Sequence, residues 1–460
     1  MKRTMGLVVP VTLVASCAAV GPDYVRPQMS MSALFVNGGS SALRDAAVER
    51  WWTGLNDPLL NSLVDRGLSQ NLDIRTAWTR IRQAEAALAR TGIASQLSGD
   101  ISGRAGRERD SAGNIDDANS ISADAAYVFD LFGGVRRSTE SARASLEAAH
   151  YDRGTVRLAY LADIADAYVN ARYFQNAAWI TRQAIQSRRA AFDLVSRQAA
   201  AGEATMLDEA QARALLRSAE AALPSLQANF EGNVFRIATL LAEPAGPIMQ
   251  RMTQGSGQPV PQRLSKSGTP ADLLRNRPDI RAAEREFAAS TAAIGVAEAQ
   301  LYPSLTLSGF ISSGDDETWA FGPVLRVPVL NQGVLRANRD AAKARAAEAD
   351  LNWRSTVLRA VEEVQEADSS TRYWRRQVGA QRSAAQANNE VRDLTKKSYE
   401  AAETVLTDVL DAERRSLDSQ IALAGGLRDL ATSWIRLQVA TGRGWSDQPP
   451  PDDAMVAVAE

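Results

Sequence analysis

The chain has 460 residues, enough for two or three domains, and its 45% hydrophobic and 23% charged residues are the balance of a folded protein. A formal net charge of −2 gives no electrostatic reason to expect a nucleic-acid partner. With one cysteine, Cys17, and one histidine, His150, a disulfide framework within the chain is excluded, and a zinc site or a histidine-dependent catalytic group has almost nothing to draw on.

The first element is a leader. Lys2 and Arg3 precede an apolar run from Met5 to Ala15, then Ser16 and Cys17, which predicts a signal peptide over 1–16. The run is too short to span a bilayer. Val14-Ala15-Ser16-Cys17 resembles a bacterial lipoprotein box, in which the cysteine becomes the first mature residue and carries lipid. Several acyl chains on one residue make a stable anchor, at about 0.8 kcal/mol per buried CH₂. Ala18, rather than an aspartate, is compatible with delivery to the outer membrane. Residues 17–57 then form a lipid-anchored N-terminal segment. No later stretch is apolar for 18 residues, so the mature chain can cross a membrane only as a closed β-barrel.

From residue 58 the chain runs through the same plan twice. Asn71-Leu72-Asp73-Ile74-Arg75 is echoed 206 residues later by Arg277-Pro278-Asp279-Ile280-Arg281, and the run from Asp208 to Arg213 is echoed 200 residues later by the run from Asp408 to Glu413. The two repeats are expected at 58–242 and 271–442, with a connector at 243–270 and a disordered proline-rich tail at 443–460. Each repeat opens with a helix, Leu59 to about Ala94 and Pro278 to about Leu301. Two strands and a very long helical run follow. Leu158, Leu161, Ile164, Ala165, Tyr168 and Val169 recur at helical spacing. A helix of about 60 residues would be about 90 Å long, which points to coiled-coil packing with alanine at the seams. His150 falls in this run and reads as a solvated or partly packed helical residue.

The strands separate a channel from a plain helical scaffold. Leu305, Leu307, Gly309 and Ile311 alternate with Ser304, Thr306, Ser308 and Ser312, with Phe310 breaking the pattern. A polar turn over 313–318 follows, then Trp319, Phe321, Leu325 and Val327 alternate with small residues and Arg326. This period of two matches a barrel strand, apolar outside and polar within. In the first repeat Ile121, Ala123, Ala125, Tyr127 and Phe129 alternate well, but the partner near Ile101–Arg109 carries three arginines, and Asp110–Asn119 reads as a loop. Four strands cannot close around a pore, because single-chain barrels start at about eight. Their edges require partners, and three copies would supply twelve strands.

These residues resemble the TolC-like outer membrane factors, in the NodT-type efflux lipoprotein branch, over Cys17 to about Gly442. The resemblance rests on the order and spacing of Gly21-Pro22-Asp23-Tyr24-Val25-Arg26-Pro27, Trp51-Trp52, Asp57-Pro58-Leu59-Leu60, Asn71-Leu72-Asp73-Ile74-Arg75 with Ala77, Arg80 and Gln83-Ala84, Phe129-Asp130-Leu131-Phe132-Gly133, Arg277-Pro278-Asp279-Ile280, Tyr302-Pro303-Ser304-Leu305 and Asp408-Val409-Leu410-Asp411-Ala412. It implies a mainly α protein with membrane β: a homotrimer whose protomers each give four strands to a 12-stranded outer-membrane barrel, continuous with a long periplasmic α-helical barrel. It implies a periplasmic adaptor and an inner-membrane pump of the RND type as partners, outer-membrane lipid as surroundings, and no cofactor. Most of the mass would lie in the periplasm of a Gram-negative bacterium.

The resemblance also implies a gate. Two helix turns, Ala200–Thr205 and Glu400–Thr404, would form the periplasmic tip, with Gly202, Glu203, Thr205, Ala402, Glu403 and Thr404 facing the adaptor. Asp208, Tyr399, Asp408 and Asp411 match the residues that hold such ducts shut, with Tyr399 bonded to Asp208 and the Asp408/Asp411 pair lining the constriction. Rings of carboxylates at a narrow mouth favour cations; without the resemblance, the same residues read as charges on a solvated helix face. Thr404 stands where the family has an arginine, Ala402 where glycine is common, and Leu97-Ser98-Gly99 lacks the Tyr-Pro of Tyr302-Pro303.

The expected activity is passive conduction of drugs or other small toxic solutes, since no phosphate-binding Gly-x4-Gly-Lys-Ser/Thr loop is present to couple energy. Type I protein secretion, metal-ion efflux and a non-conducting coiled-coil scaffold are the alternatives. An enzyme is the poorest reading, because no constellation of carboxylates reads as a catalytic site.

Overall fold

The computed structural model describes residues 19–36, 43, 46–109, 111, 113, 115–255, 257–262, 267–314 and 317–446. Two short 3-10 turns, Ala46–Val48 and Trp51–Leu55, lead into α1 (Pro58–Gln70) and α2 (Leu72–Ala89). One helix was expected from Leu59 to Ala94; the structure corrects this to two with a break at Asn71. The Asn71 side chain accepts from the N–H groups of Asp73 and Ile74 at 3.0 and 3.1 Å, capping α2, and donates to the Leu240 carbonyl at 2.9 Å. A buried asparagine that caps one helix and ties down another cannot remain inside a continuous helix. Asp57 caps α1 in the same way, above Pro58 at the first helical position.

The short α3 (Ile93–Gln96) precedes β1 (Leu97–Arg109) and β2 (Ile115–Phe129). Then come α4 (Gly134–Ala200), α5 (Met206–Leu241), α6 (Ala245–Thr253), α7 (Pro270–Asn276) and α8 (Pro278–Ala299). The strands β3 (Ser304–Ser313) and β4 (Thr318–Arg326) and the helices α9 (Gln332–Glu400) and α10 (Leu406–Ala440) complete the order. The helix α5 runs through Pro224, which lies on an exposed face where a freed carbonyl meets water.

Packing divides the chain into two compact units that cut across the sequence repeats. One comprises 1–29, 79–150 and 282–355, the other 30–78, 151–281 and 356–460. The second holds a large apolar core of Trp51, Trp52, Leu60, Leu63, Leu161, Ile164, Tyr168, Ile237, Leu241, Ile248, Trp434 and their neighbours. Trp51 meets Trp52 and Trp434 edge-on, each pair with ring centroids 5.9 Å apart. Gly67 has no room for a side chain, because an added Cβ would lie 1.7 Å from the Tyr160 hydroxyl. The Tyr168 hydroxyl donates to Asp57 Oδ2 at 2.6 Å, so one carboxylate caps α1 and joins it to α4. The chain end expected to be disordered from residue 443 is packed here as far as Ser446: Arg443 pairs with Glu49 at 2.8 Å, and the buried Trp445 donates to the Asn276 carbonyl at 2.6 Å. Residues 447–460 lie outside the described residues.

The first unit holds the sheet and alanine-lined helix seams, Ala144 against Ala288 and Ala289, and Ala342 and Ala346 against Ile294. The sheet is antiparallel throughout, in the order β1-β2-β3-β4. Two expectations are corrected. β1 begins at Leu97 rather than near Ile101, and β2 begins at Ile115, inside the stretch expected as a loop. The pairing of Arg109 with Ile115 and a 2.8 Å ion pair from Arg107 to Asp117 extend the hairpin. The turn residues Asp315 and Asp316 lie outside the described residues.

Candidate functional site

Register decides what the sheet presents. Leu97, Gly99, Ile101 and Gly103 of β1 share a face with Ile121, Ala123, Ala125 and Tyr127 of β2. Leu305, Leu307 and Ile311 of β3 and Trp319, Phe321 and Leu325 of β4 continue that face. The opposite face carries Ser98, Asp100, Ser102 and Arg104, then Ser120, Ser122 and Asp124, then Thr306, Ser308 and Ser312. Phe310, the break in the β3 pattern, stands on this polar face between Asp124 and Ala320. No described strand residue is buried, and Ile101, Trp319 and Phe321 are 82%, 76% and 73% exposed. A sheet with one greasy face, one polar face and nothing covering either is built for lipid on one side and water on the other. Its outer strands β1 and β4 each offer an unpaired edge. Among the described residues no helix is long and apolar enough to cross a membrane.

Cys17 lies outside the described residues, but the segment that follows it is fixed within the first unit. The Val20 N–H donates to the Phe132 carbonyl at 3.0 Å, and Gly133 leaves no room for a Cβ beside Ala19. The Arg137 guanidinium, 6% exposed, donates to the Val20 and Gly21 carbonyls at 3.2 Å each, to Asp23 at 2.6 Å and to Glu140 at 2.8 Å. Tyr24 donates to Glu284 at 3.0 Å and stacks edge-on to Phe287. Burial, then the charge of Glu284, push the Tyr24 hydroxyl well above its ordinary range. The N-terminal strap is therefore clamped beside the turn that joins β2 to α4. Sequence reasoning missed Arg137, whose strap partners lie more than a hundred residues away in the chain.

In the second unit, α4 and α5 form one helical hairpin and α9 and α10 another. Their turns are built alike. Glu203 N–H donates to the Gln198 carbonyl and Glu403 N–H to the Ser398 carbonyl, both at 2.8 Å, as in a helix stop with a left-handed residue between. That residue is Gly202 in the first turn, φ 79°, and Ala402 in the second, φ 60°. Alanine there carries a steric cost of roughly 1–2 kcal/mol that glycine avoids. Gly202, Glu203, Thr205, Ala402 and Glu403 are exposed and Thr404 partly so. Met206, Leu207 and Val405 add exposed apolar surface that sequence reasoning missed.

The helix starts differ. Thr205 and Asp208 form a reciprocal capping box: Thr205 Oγ1 accepts from the Asp208 N–H at 3.1 Å, while Asp208 Oδ2 accepts from the Thr205 N–H at 3.0 Å and its hydroxyl at 2.7 Å. The hydroxyl and amide bonds from Thr205 hold the Asp208 carboxyl below its ordinary range. In the second hairpin Val405 occupies the cap and contributes no side-chain bond, and the Thr404 hydroxyl donates to Asp408 instead.

The expected bond from Tyr399 to Asp208 is corrected. Tyr399 donates to Gln198 Oε1 at 3.2 Å, and Asp208 is engaged by its own cap. Asp411 is no bare carboxylate either, since Arg414 and Arg415 hold its two oxygens at 2.6 and 2.7 Å. Asp408 is exposed. His150 is an exposed residue of α4, and among the described residues no cluster of His, Cys, Asp and Glu is arranged to hold a metal.

A sheet with one lipid-type face, joined in the same chain to long paired helices, defines an outer-membrane channel of the TolC-like fold. The chain belongs to the outer membrane efflux protein family, whose model matches residues 63–243 and 269–443. It is 38% identical to nodulation protein T of Rhizobium leguminosarum bv. trifolii, covering 95% of this chain and 96% of that protein. It is 30% identical to the pyoverdine export outer membrane protein OpmQ of Pseudomonas aeruginosa, covering 94% and 96%. Among solved structures it matches the outer-membrane channel OprN with a TM-score of 0.83 and 30% identity, over 93% of this chain and 99% of that one. It matches the open state of the Neisseria gonorrhoeae MtrE outer membrane channel with a TM-score of 0.83 and 25% identity, over 94% and 100%. The protein is an outer-membrane efflux channel; its family consists of channels and not enzymes.

Proposed function

We propose that three copies join their sheets edge to edge into one twelve-stranded barrel, and that the channel is the passive exit duct of a tripartite efflux system. The observation that carries this reading is the four-stranded sheet with an apolar face, a polar face and two unpaired edges. Cys17 bears the lipid, and Arg137 holds the strap that follows it at Val20, Gly21 and Asp23. An inner-membrane pump of the RND type supplies the work. A periplasmic adaptor docks on the turns at Gly202, Glu203 and Thr205 and at Ala402, Glu403 and Thr404, where Met206, Leu207 and Val405 offer apolar contact. Cargo is small toxic solutes, drugs among them. Relatives named for pyoverdine export, toluene efflux and antibiotic efflux are consistent with that class.

The two hairpin turns form the gate. Tyr399 bridges the hairpins through Gln198, and Asp408 and Asp411 face the constriction. Because Arg414 and Arg415 offset Asp411, the cation preference of the mouth rests mainly on Asp408. Planar-bilayer recording of the purified protein tests this. Small, stable, cation-preferring steps are expected, with Asp408→Ala changing selectivity more than Asp411→Ala. Equal effects of the two would contradict the assignment of the charge to Asp408. Silence from a folded oligomer would contradict the duct itself.

A further inference from the structure

Where α4 of the first hairpin meets α10 of the second, two charged side chains are buried. Arg188 is 4% exposed and Glu413 is 9% exposed. Arg188 Nη1 donates to the Leu215 carbonyl at 3.2 Å, inside its own hairpin, and Glu413 Oε1 accepts from Ser187 at 2.6 Å, across the seam. The remaining atoms are under-used: Arg188 Nε and Glu413 Oε2 are both buried without a hydrogen-bond partner, and among the described residues no ion pair joins the two. The field between them is felt. Burial pushes the Arg188 guanidinium down from its ordinary value, while Glu413 and then Asp418 push it back up.

Buried charged atoms without partners are rare and costly, and here a cation and an anion each leave one such atom unpaired. The seam around them is otherwise thin. Val195, Leu406 and Leu410 form a small apolar cluster, with Tyr399 bonded to Gln198 nearby. Each hairpin is tied within itself, by Arg189 to Glu220 in the first and by Ser416 and Gln420 to Asn389 in the second. Farther along the same two helices, Leu161, Ile164 and Tyr168 of α4 share the main core with Trp434 and Ile435 of α10, and the Arg428 guanidinium lies 4.5 Å from the Tyr173 ring, so the seam is least tied toward the turns.

We infer that Arg188 and Glu413 are positioning residues of the gate: under-bonded in the arrangement seen here, they close into an ion pair when the end of α10 near its turn shifts against α4, and so favour the shifted state. This rests on the reading of the hairpin turns as the gate. Neither residue matched a motif, and the sequence offers no sign that they meet, since 225 positions separate them.

The test measures seam opening directly and does not presuppose conduction. Val195 is fully buried at the seam and Ile237 fully buried in the main core. Val195→Cys reports seam opening through its maleimide labelling rate in the detergent-purified oligomer, and Ile237→Cys reports core unfolding. Glu413→Gln, which keeps an acceptor for Ser187, and Arg188→Met should each slow labelling at Val195→Cys at least threefold while leaving Ile237→Cys unchanged. The double variant should slow it no further, and Arg188→Lys should keep the wild-type rate. Unchanged or faster labelling at Val195→Cys, or equal shifts at both reporters, overturns the proposal. Wild-type conductance, recorded on the same preparation, shows separately whether the channel reading itself fails.

Discussion

The core around Trp52 buries its large side chains almost completely, whereas the sheet leaves Ile101, Trp319 and Phe321 in the open. Both regions use apolar residues at regular spacing. In the core, the partners are other parts of the same chain: Tyr168 reaches Asp57, and Trp51 reaches Trp434. Among the described residues, the strands bond chiefly to one another, with α3 at one end, where Gln96 donates to the Val128 carbonyl at 3.2 Å. The core can therefore be stabilised by folding alone, while the apolar face and the two edges of the sheet are left for partners outside the chain. Apolar exposure in this chain marks a contact still to be made and not a defect of packing.

The sharpest way to break this contrast is to cut into the core. Leu60→Ala is expected to cost about 2–5 kcal/mol, and Gly67→Val to prevent proper packing against Tyr160. Both should lower the thermal midpoint of the helical signal by circular dichroism. A midpoint unmoved by Leu60→Ala would mean the core is not what holds the second unit together.

A smaller effect separates the two faces of the sheet. Phe321→Lys puts a charge toward lipid and is expected to cost about 2–4 kcal/mol near the bilayer centre. Thr306→Lys, on the polar face, should cost little. Phe321→Lys should leave the helical signal intact and lose the heat-resistant oligomer on gels. Equal losses from both substitutions would erase the distinction between lipid-facing and lumen-facing sides.

The smallest effect refines the core. Burial pushes the Asp166 carboxyl up to about 6, against the pull of Arg436 and a hydrogen bond from Thr432. A carboxyl raised by folding binds its proton more tightly in the folded state, so its contribution to stability falls as pH rises from about 4 to about 6. Above that window it is a standing cost, on the order of 3 kcal/mol. Asp166→Asn should raise the midpoint at pH 7.5, and its advantage over the wild type should shrink to nothing by about pH 4. An advantage that does not vary with pH would rule out the buried carboxylate as its source.

The sequence was most legible where a short-range rule acts alone. Alternation exposed β3 and β4, because Leu305 to Ile311 and Trp319 to Leu325 carry bulky residues at a period of two. The column of β1 on this face sets Gly99, Gly103 and Ala105 among Leu97 and Ile101 and ends in Arg107 and Arg109, so its face became visible only through pairing with Ile121 and Tyr127. The break at Asn71 was written as a helix cap and was overlooked beneath a continuous helical pattern. The position of the two hairpin turns followed from the family resemblance. Asp411's arginines stand at helical i+3 and i+4 spacing and could have been read. The partner of Tyr399 could not, because Gln198 lies 201 positions away on the other hairpin.

The claim that this sheet is an incomplete barrel is tested most directly by the mass of the folded protein in detergent, measured by native mass spectrometry with circular dichroism on the same sample. Three copies that dissociate together with loss of the strand signal are the expected result. A stable monomer that retains its strands would contradict it.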